Sequence, residues 1–403
     1  MDGTKLLQRA KEFSDKLVSY RQHIHKNPEI GFELKETADF VKKELEDMGY
    51  IPKACGKSGI VAVAGGKKAG KVFLIRADMD ALPIKEETEL EFASKNGNMH
   101  ACGHDMHTAM LLGAAKLLKE NEAEIKGTVK LMFQPAEEIL EGSKDMIEAG
   151  ILENPKVDAA FMIHVMANMP FEAGTVIVSS PGISAPAASY FDINIKGKGC
   201  HGSSPNMGVD PISAAAHTLI ALQEINAREL SISEPAAITI GAIHAGQAGN
   251  VIADAAVMKG SLRCYNQETM DYIKSRLIEI SQGIAVTFRA KAEVTFNNGC
   301  PVLDNDKDLS EFTLKNLKGL LGEQKVFSSL QISGGKAAKT SGSEDFAYIS
   351  QKVPSLMMAL SAGQTEKGYI YPQHHPKVKF DEQVLSVGSA IYAFIAMKWL
   401  EEH

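Results

Sequence analysis

The chain has 403 residues, enough for two or three domains of ordinary size, and its 44% hydrophobic and 23% charged content is that of a globular enzyme. A formal net charge of −7, with no basic run, gives no reason to expect nucleic acid or a membrane surface as partner. No apolar run of about 18 residues is read as a spanning helix, and the five cysteines (55, 102, 200, 264 and 300) are odd in number and far apart, which argues against a disulfide framework and for a reducing cytoplasm.

The N-terminus opens as a polar amphipathic helix, not a secretory signal. Residues 4–22 and 34–49 are predicted helices. In the second, Leu34, Ala38, Val41, Leu45 and Met48 recur at helical spacing. Between them, His23-Ile24-His25-Lys26-Asn27-Pro28-Glu29 reads as a turn-rich segment. Strands are expected at Ile60–Ala64, Lys71–Ala77, Gly127–Phe133 and Ala159–His164, with helices at Thr108–Lys119 and Ser143–Ala149. That alternation implies an α/β sheet covered on both faces.

The pattern changes at Ser179-Ser180-Pro181-Gly182-Ile183, read as a linker. Strands at Tyr190–Lys196, Ala237–His244, Val257–Tyr265 and Lys291–Thr295, with helices at Pro211–Glu229 and Gln267–Ile284, make a compact α+β unit with an antiparallel sheet. The first pattern then resumes. The expected organisation is a discontinuous domain of residues 1–183 and 297–403, interrupted by an inserted domain of residues 184–296.

Four segments carry chemistry. Met99-His100-Ala101-Cys102-Gly103-His104-Asp105-Met106-His107 places a thiol and an imidazole two residues apart. Gln134-Pro135-Ala136-Glu137-Glu138 supplies paired carboxylates, Ile163-His164-Val165 an imidazole at a strand end, and Pro372-Gln373-His374-His375-Pro376 two more. Cys, His, Glu, His and His together suit one or two borderline-soft divalent metals. They gather at the carboxyl ends of predicted strands, where α/β sheets bind ligands.

Of two adjacent carboxylates on a bent backbone, one can bind metal while the other acts as general base on a metal-bound water. Only one of His374 and His375 is needed, and spacing does not choose between them. Asp105 is placed to orient His104 or a partner imidazole, and His107 is left outside the ligand set. Gly197-Lys198-Gly199-Cys200-His201-Gly202 fits a dinucleotide-binding pattern, but the loop Ser203-Ser204-Pro205-Asn206-Met207-Gly208 follows where a helix should start. It reads instead as a mobile loop presenting His201 as an oxyanion donor.

With these motifs in order, the chain resembles the dinuclear-metal amidohydrolases that include aminoacylases, hippurate hydrolases, auxin-conjugate hydrolases and N-acetyl-diaminopimelate deacetylases. The resemblance runs from Arg21-Gln22-His23-Ile24-His25-Lys26-Asn27-Pro28-Glu29 and Arg76-Ala77-Asp78-Met79-Asp80-Ala81-Leu82-Pro83 to Gly342-Ser343-Glu344-Asp345-Phe346. It implies a zinc-exopeptidase-like catalytic α/β domain with an inserted α+β lid that also dimerises. It implies two divalent ions (zinc, manganese, nickel or cobalt) on Cys102, His104, Glu138, His164 and His374, with Cys102 as a bridge. His374 is selected by its match to the first His of the family's His-x-Pro pattern.

The resemblance further implies Glu137 as general base and later acid, and His201 as oxyanion donor, delivered from the partner subunit in dimeric relatives. Asn250 and Arg263 are implied to meet the substrate carboxylate, and Glu344 to line the site. The expected reaction is hydrolysis of the amide bond of a small N-acyl amino acid by a cytoplasmic homodimer or homotetramer. A dipeptidase or carboxypeptidase, and a metal-binding homologue without turnover, are the alternatives.

Overall fold

The computed structural model describes residues 2–335 and 339–403. The chain divides into two compact units, one of Met1–Ser184, Asp304–Ala338 and Asp345–His403, the other of Ala185–Leu303 and Lys339–Glu344. The expected end of the insert at residue 296 therefore falls short. Pairing of the strand Lys291–Cys300 resumes after a register shift between Phe296 and Gly299, and that bulge interrupts the alternation visible in sequence.

In the first unit, β1 (Lys53–Cys55), β2 (Gly59–Gly65), β3 (Val72–Asp78), β4 (Thr128–Gln134), β5 (Ala159–Met166) and β6 (Val176–Val178) precede the second unit. After it come β15 (Val326–Ser328) and β16 (Ser355–Ser361), and the eight lie in the order β1-β2-β4-β3-β5-β16-β6-β15. The central run β4-β3-β5-β16 is parallel. All seven residues of β3 and of β4 are buried, as expected of strands covered on both faces.

The helix His104–Glu120 supplies much of that cover, with fourteen of its residues buried. It crosses the helix Val384–Glu402 at Gly113, where a Cβ would lie 2.2 Å from Ser389 Oγ and 2.6 Å from Leu17 Cδ2. Val384–Glu402 corrects one expectation: by length and hydropathy it is a helix that could cross a membrane. In the fold it is a core helix, packed on the helices Gly3–Glu12, Ser14–Lys26 and His104–Glu120 and on β3. Its polar Ser386, Ser389 and Lys398 hid the run from a reading of the sequence.

A second correction concerns residues 23–29. The helix Ser14–Lys26 runs through His23 and His25, and only Asn27 ends it.

In the second unit, after the connecting strand β7 (Gly182–Ala185), come β8 (Ala187–Lys196), β9 (Cys200–His201), β10 (Ala236–Ala245), β11 (Val251–Ile252), β12 (Ala255–Cys264) and β13 (Lys291–Cys300). The connecting strand β14 (Leu303–Asn305) follows. An antiparallel sheet of order β10-β12-β8-β13 packs with two helices. The first, Pro211–Glu224, is capped by the Asp210 side chain and begins with Pro211, and it ends in a π turn over Ile225–Glu229. The second, Gln267–Thr287, is capped by Asn266.

A candidate metal centre and its supports

Three strand ends and one loop of the first unit build a cluster. β3 delivers Asp78 and, just past its end, Asp80. The Asp80 carboxylate accepts the backbone N–H groups of both Glu137 (3.0 Å) and Glu138 (3.1 Å), and its carbonyl accepts Nδ1–H of His104 (2.9 Å). One residue thus sets the carboxylate pair and one imidazole. The pair lies on a turn directly after β4, where Ala136 (φ +57°) and Leu140 (φ +57°) both take the left-handed conformation and bend the chain.

Gly103 (φ +98°) caps the helix that starts at His104. A Cβ at Gly103 would lie 2.5 Å from Val165 Cγ2, so the tight turn presenting Cys102 and His104 needs glycine for both reasons. β5 carries His164, whose Nε2 is 3.6 Å from Cys102 Sγ. His374 also has positive φ (+65°), and its backbone N–H donates to Ala101 C=O at 2.9 Å. Gln373 Nε2 donates to Val165 C=O at 2.9 Å, which ties this loop to β5.

The donor atoms of Cys102, His104 and His164 lie within 4.8 Å of one another, as do those of Cys102, Glu138 and His374, and of His104, Glu137 and Glu138. Cys102 is common to the first two sets. Ligand atoms on one tetrahedral ion stand roughly 3.3–3.8 Å apart, given ordinary bond lengths. The 3.6 Å separations of Cys102 from His164 and of His374 Nε2 from Glu138 Oε2 match that spacing. His104 Nε2 and Glu138 Oε1 are buried and form no hydrogen bond among the described residues. Such atoms are costly unless a ligand meets them. The donor set fits two divalent ions.

Electrostatics point the same way. Burial pushes the Cys102 thiol well above its ordinary range, and Glu138 adds to the shift. Burial drives Glu138 up to about 7, against the pull of His104 and with the help of Asp80 and Asp78. It drives His164 down to about 3, with His107 adding. The site concentrates anionic donors in a dry place, an arrangement that cations relieve and that releases protons when they bind.

The supports reach further back. Burial would raise Asp78, but Arg76, His104 and His107 hold it well below the usual carboxylate range. Arg76 donates to Asp78 (2.7 Å) and to Asp345 (2.9 Å), and Asp345 also accepts from Gln134 and from the Ser143 N–H. The motif Arg76-Ala77-Asp78-Met79-Asp80 stands out in sequence without a role. Its signal is the spacing of two residues, which puts the three charges on one side of an extended chain.

Asp105 does not hold His104. Its Oδ2 accepts from Arg21 Nε (2.7 Å) and from His25 Nδ1 (2.8 Å), whose Nε2 meets Glu86 at 3.1 Å. Arg21, in the expected helix, and His25, in the expected turn-rich segment, stand one turn apart on one helix, whose continuation brings both to Asp105. His375 stays out of the cluster, stacked on Tyr371 with ring centroids 4.3 Å apart and accepting the Lys377 N–H at Nδ1 (3.0 Å).

The other candidate residues belong to the second unit. His201 sits not in a loop but on β9, paired with Val251 of β11, and is exposed. Its Nδ1 accepts the Ser203 N–H at 3.1 Å, so the neutral ring carries its proton on Nε2 and is a donor there. Gly202 N–H donates to the carbonyl of Asn250 (2.8 Å), which places Asn250 beside the His201 turn. Arg263 on β12 donates to Ser343 Oγ at 2.7 Å, in the segment that ends at Glu344.

Residues 74–398 match the model of peptidase family M20/M25/M40. An N-acetylcysteine deacetylase from Bacillus subtilis is 36% identical over 97% of this chain and 98% of its own. The IAA-amino acid hydrolase ILR1-like 2 of Arabidopsis thaliana is 38% identical over 99% of this chain and 89% of its own. The crystal structure of the Bacillus subtilis YXEP protein, described as a dinuclear metal binding peptidase of the M20 family, superposes with a TM-score of 0.78 at 34% identity, covering 97% of this chain and 99% of that one.

Proposed function

The chain belongs to peptidase family M20/M25/M40 and is a hydrolytic enzyme. From that premise we propose that it hydrolyses the amide bond of small N-acyl amino acids, releasing a carboxylic acid and a free amino acid. The observation that carries the reading is Cys102, shared between two sets of donors, beside buried atoms of His104 and Glu138 that form no hydrogen bond among the described residues. Cys102, His104, Glu138, His164 and His374 would hold two divalent ions, drawn from zinc, manganese, nickel and cobalt. When bound, such ions lower the pKa of a water and polarise the scissile carbonyl.

The remaining work falls to the chain. Glu137, with its backbone pinned by Asp80, takes the proton of the attacking water and returns it to the departing amine. His201, a donor at Nε2, stabilises the oxyanion. Asn250, Arg263 and Glu344 recognise the substrate carboxylate and line its site. The unit Ala185–Leu303 acts as lid and dimer interface. Five cysteines, with no disulfide among the described residues, support a cytoplasmic home.

The test is amine release from a panel of N-acyl amino acids and dipeptides, using enzyme stripped of metal and reloaded with zinc or manganese. Metal-dependent turnover of N-acyl amino acids supports the proposal. The family's description as peptidases favours one alternative, cleavage of dipeptides or C-terminal residues, and turnover of dipeptides alone selects it.

A further inference from the structure

β5 carries His164 beyond the point where its neighbour has left it. β3 pairs with β5 only as far as Arg76 opposite Met162, whereas its pairing with β4 continues to Asp78 opposite Gln134. The two strands part here, beside the donor cluster. The parting takes away the backbone acceptors that β3 would have offered to the amides of Ile163 and Val165, inside a sheet where no water competes for them.

Two side chains take the place of the missing backbone. The Ile163 N–H donates to the Tyr392 hydroxyl at 3.0 Å, and that hydroxyl donates to Arg76 C=O at 3.0 Å. The Val165 N–H donates to His107 Nε2 at 2.8 Å, and His107 Nδ1–H donates to Asp78 Oδ1 at 2.5 Å. The pinned amides are those on either side of His164. The His107 ring also stands edge-on to the His164 ring, with centroids 4.7 Å apart. Both His107 nitrogens are engaged, so it supports the ligand set without joining it. Tyr392, Arg76, His107 and Asp78 are all fully buried, and each bond is shielded from exchange with solvent.

We propose that Tyr392 and His107 are positioning residues that stand in for a strand and fix His164 against Cys102 and His104. The inference rests on the reading of His164 as a metal ligand. It makes metal affinity depend on two side chains that touch no metal, one of them on the C-terminal helix far along the chain. Outer partners of this kind typically change affinity ~10–100-fold when removed.

The experiment compares wild type with H107F, H107Q and Y392F. Metal affinity is measured by competition with a chelator, alongside the melting temperature of the metal-free protein and amide hydrogen exchange at residues 163 and 165. H107F and Y392F are expected to bind the weaker ion ~10–100-fold less tightly, with faster exchange at the unpinned amide. H107Q, whose side-chain oxygen can accept the Val165 N–H, should fall between H107F and wild type. Y392F keeps its ring and preserves the test if H107F does not fold. A lower melting temperature with unchanged metal affinity in Y392F and H107F overturns the positioning role and leaves the hydrolase reading intact. Wild type that binds no metal overturns both.

Discussion

The donor cluster of the first unit and the His201 turn of the second are built by opposite rules. Around the cluster, several groups are fixed by a second residue, which is itself fixed. Asp80 holds the amides of Glu137 and Glu138 and the ring of His104, and Arg76 is held by Asp78 and Asp345. His201 is exposed on a two-residue strand paired only with β11, and Ser203 sets its ring. Metal ligands need donor geometry that survives thermal motion, and four of the five proposed ligands sit in buried surroundings at strand ends and a helix start, whereas His374 stands half-exposed on a loop held by its backbone bond to Ala101. The proposed oxyanion donor needs access to substrate, which an exposed ribbon provides. Rigidity and exposure are separate requirements, and most of the proposed machinery divides between the units accordingly.

Substitutions can break or sharpen that contrast. The largest expected effect is Glu137→Gln, which removes the proposed general base. kcat should fall ~10³–10⁴-fold while metal content, read by elemental analysis, stays at the wild-type level. Near-normal turnover in that variant would falsify the assignment. Next comes His201→Ala, expected to cost ~10²–10³ in kcat with no change in metal affinity or melting temperature, because the residue is exposed and removed from the core. Loss of metal along with activity would erase the distinction between the two regions.

Asp80→Ala should cost ~10–100-fold in metal affinity or activity, because the backbone of the carboxylate pair is released while the ligands themselves remain. A chelator titration indistinguishable from wild type would show that the turn after β4 holds its own shape. The smallest effect is predicted for His375→Ala, within about twofold in kcat/KM, as for a surface substitution away from the machinery. The matching His374→Ala should lose metal, and equal behaviour of the two variants would contradict the geometry that separates them.

Much of the arrangement was legible before the structure. Hydrophobic periodicity located β2 to β5, the helix after Cys102 and the antiparallel insert to within a few residues, because period and burial are both local consequences of backbone geometry. The donor types could be read at the strand ends for the same reason. The bulge near residue 297 and the helical form of residues 23–26 escaped, since each depends on a partner distant in sequence, β8 in one case and Asp105 in the other.

By itself, then, the amino-acid order determined the donor types: paired carboxylates just after one strand, an imidazole near the end of another, and a thiol and further imidazoles whose places in the fold it left to the structure. Spacing left His374 and His375 open and the resemblance selected His374; the structure sets that ring 3.6 Å from Glu138 on a left-handed backbone bonded to Ala101. Only the tertiary structure turned Asp105 away from His104 and gave that ring to Asp80. Residue type is a local property, but which donor a side chain meets is set by chain segments tens to hundreds of residues away, and no local pattern encodes their approach.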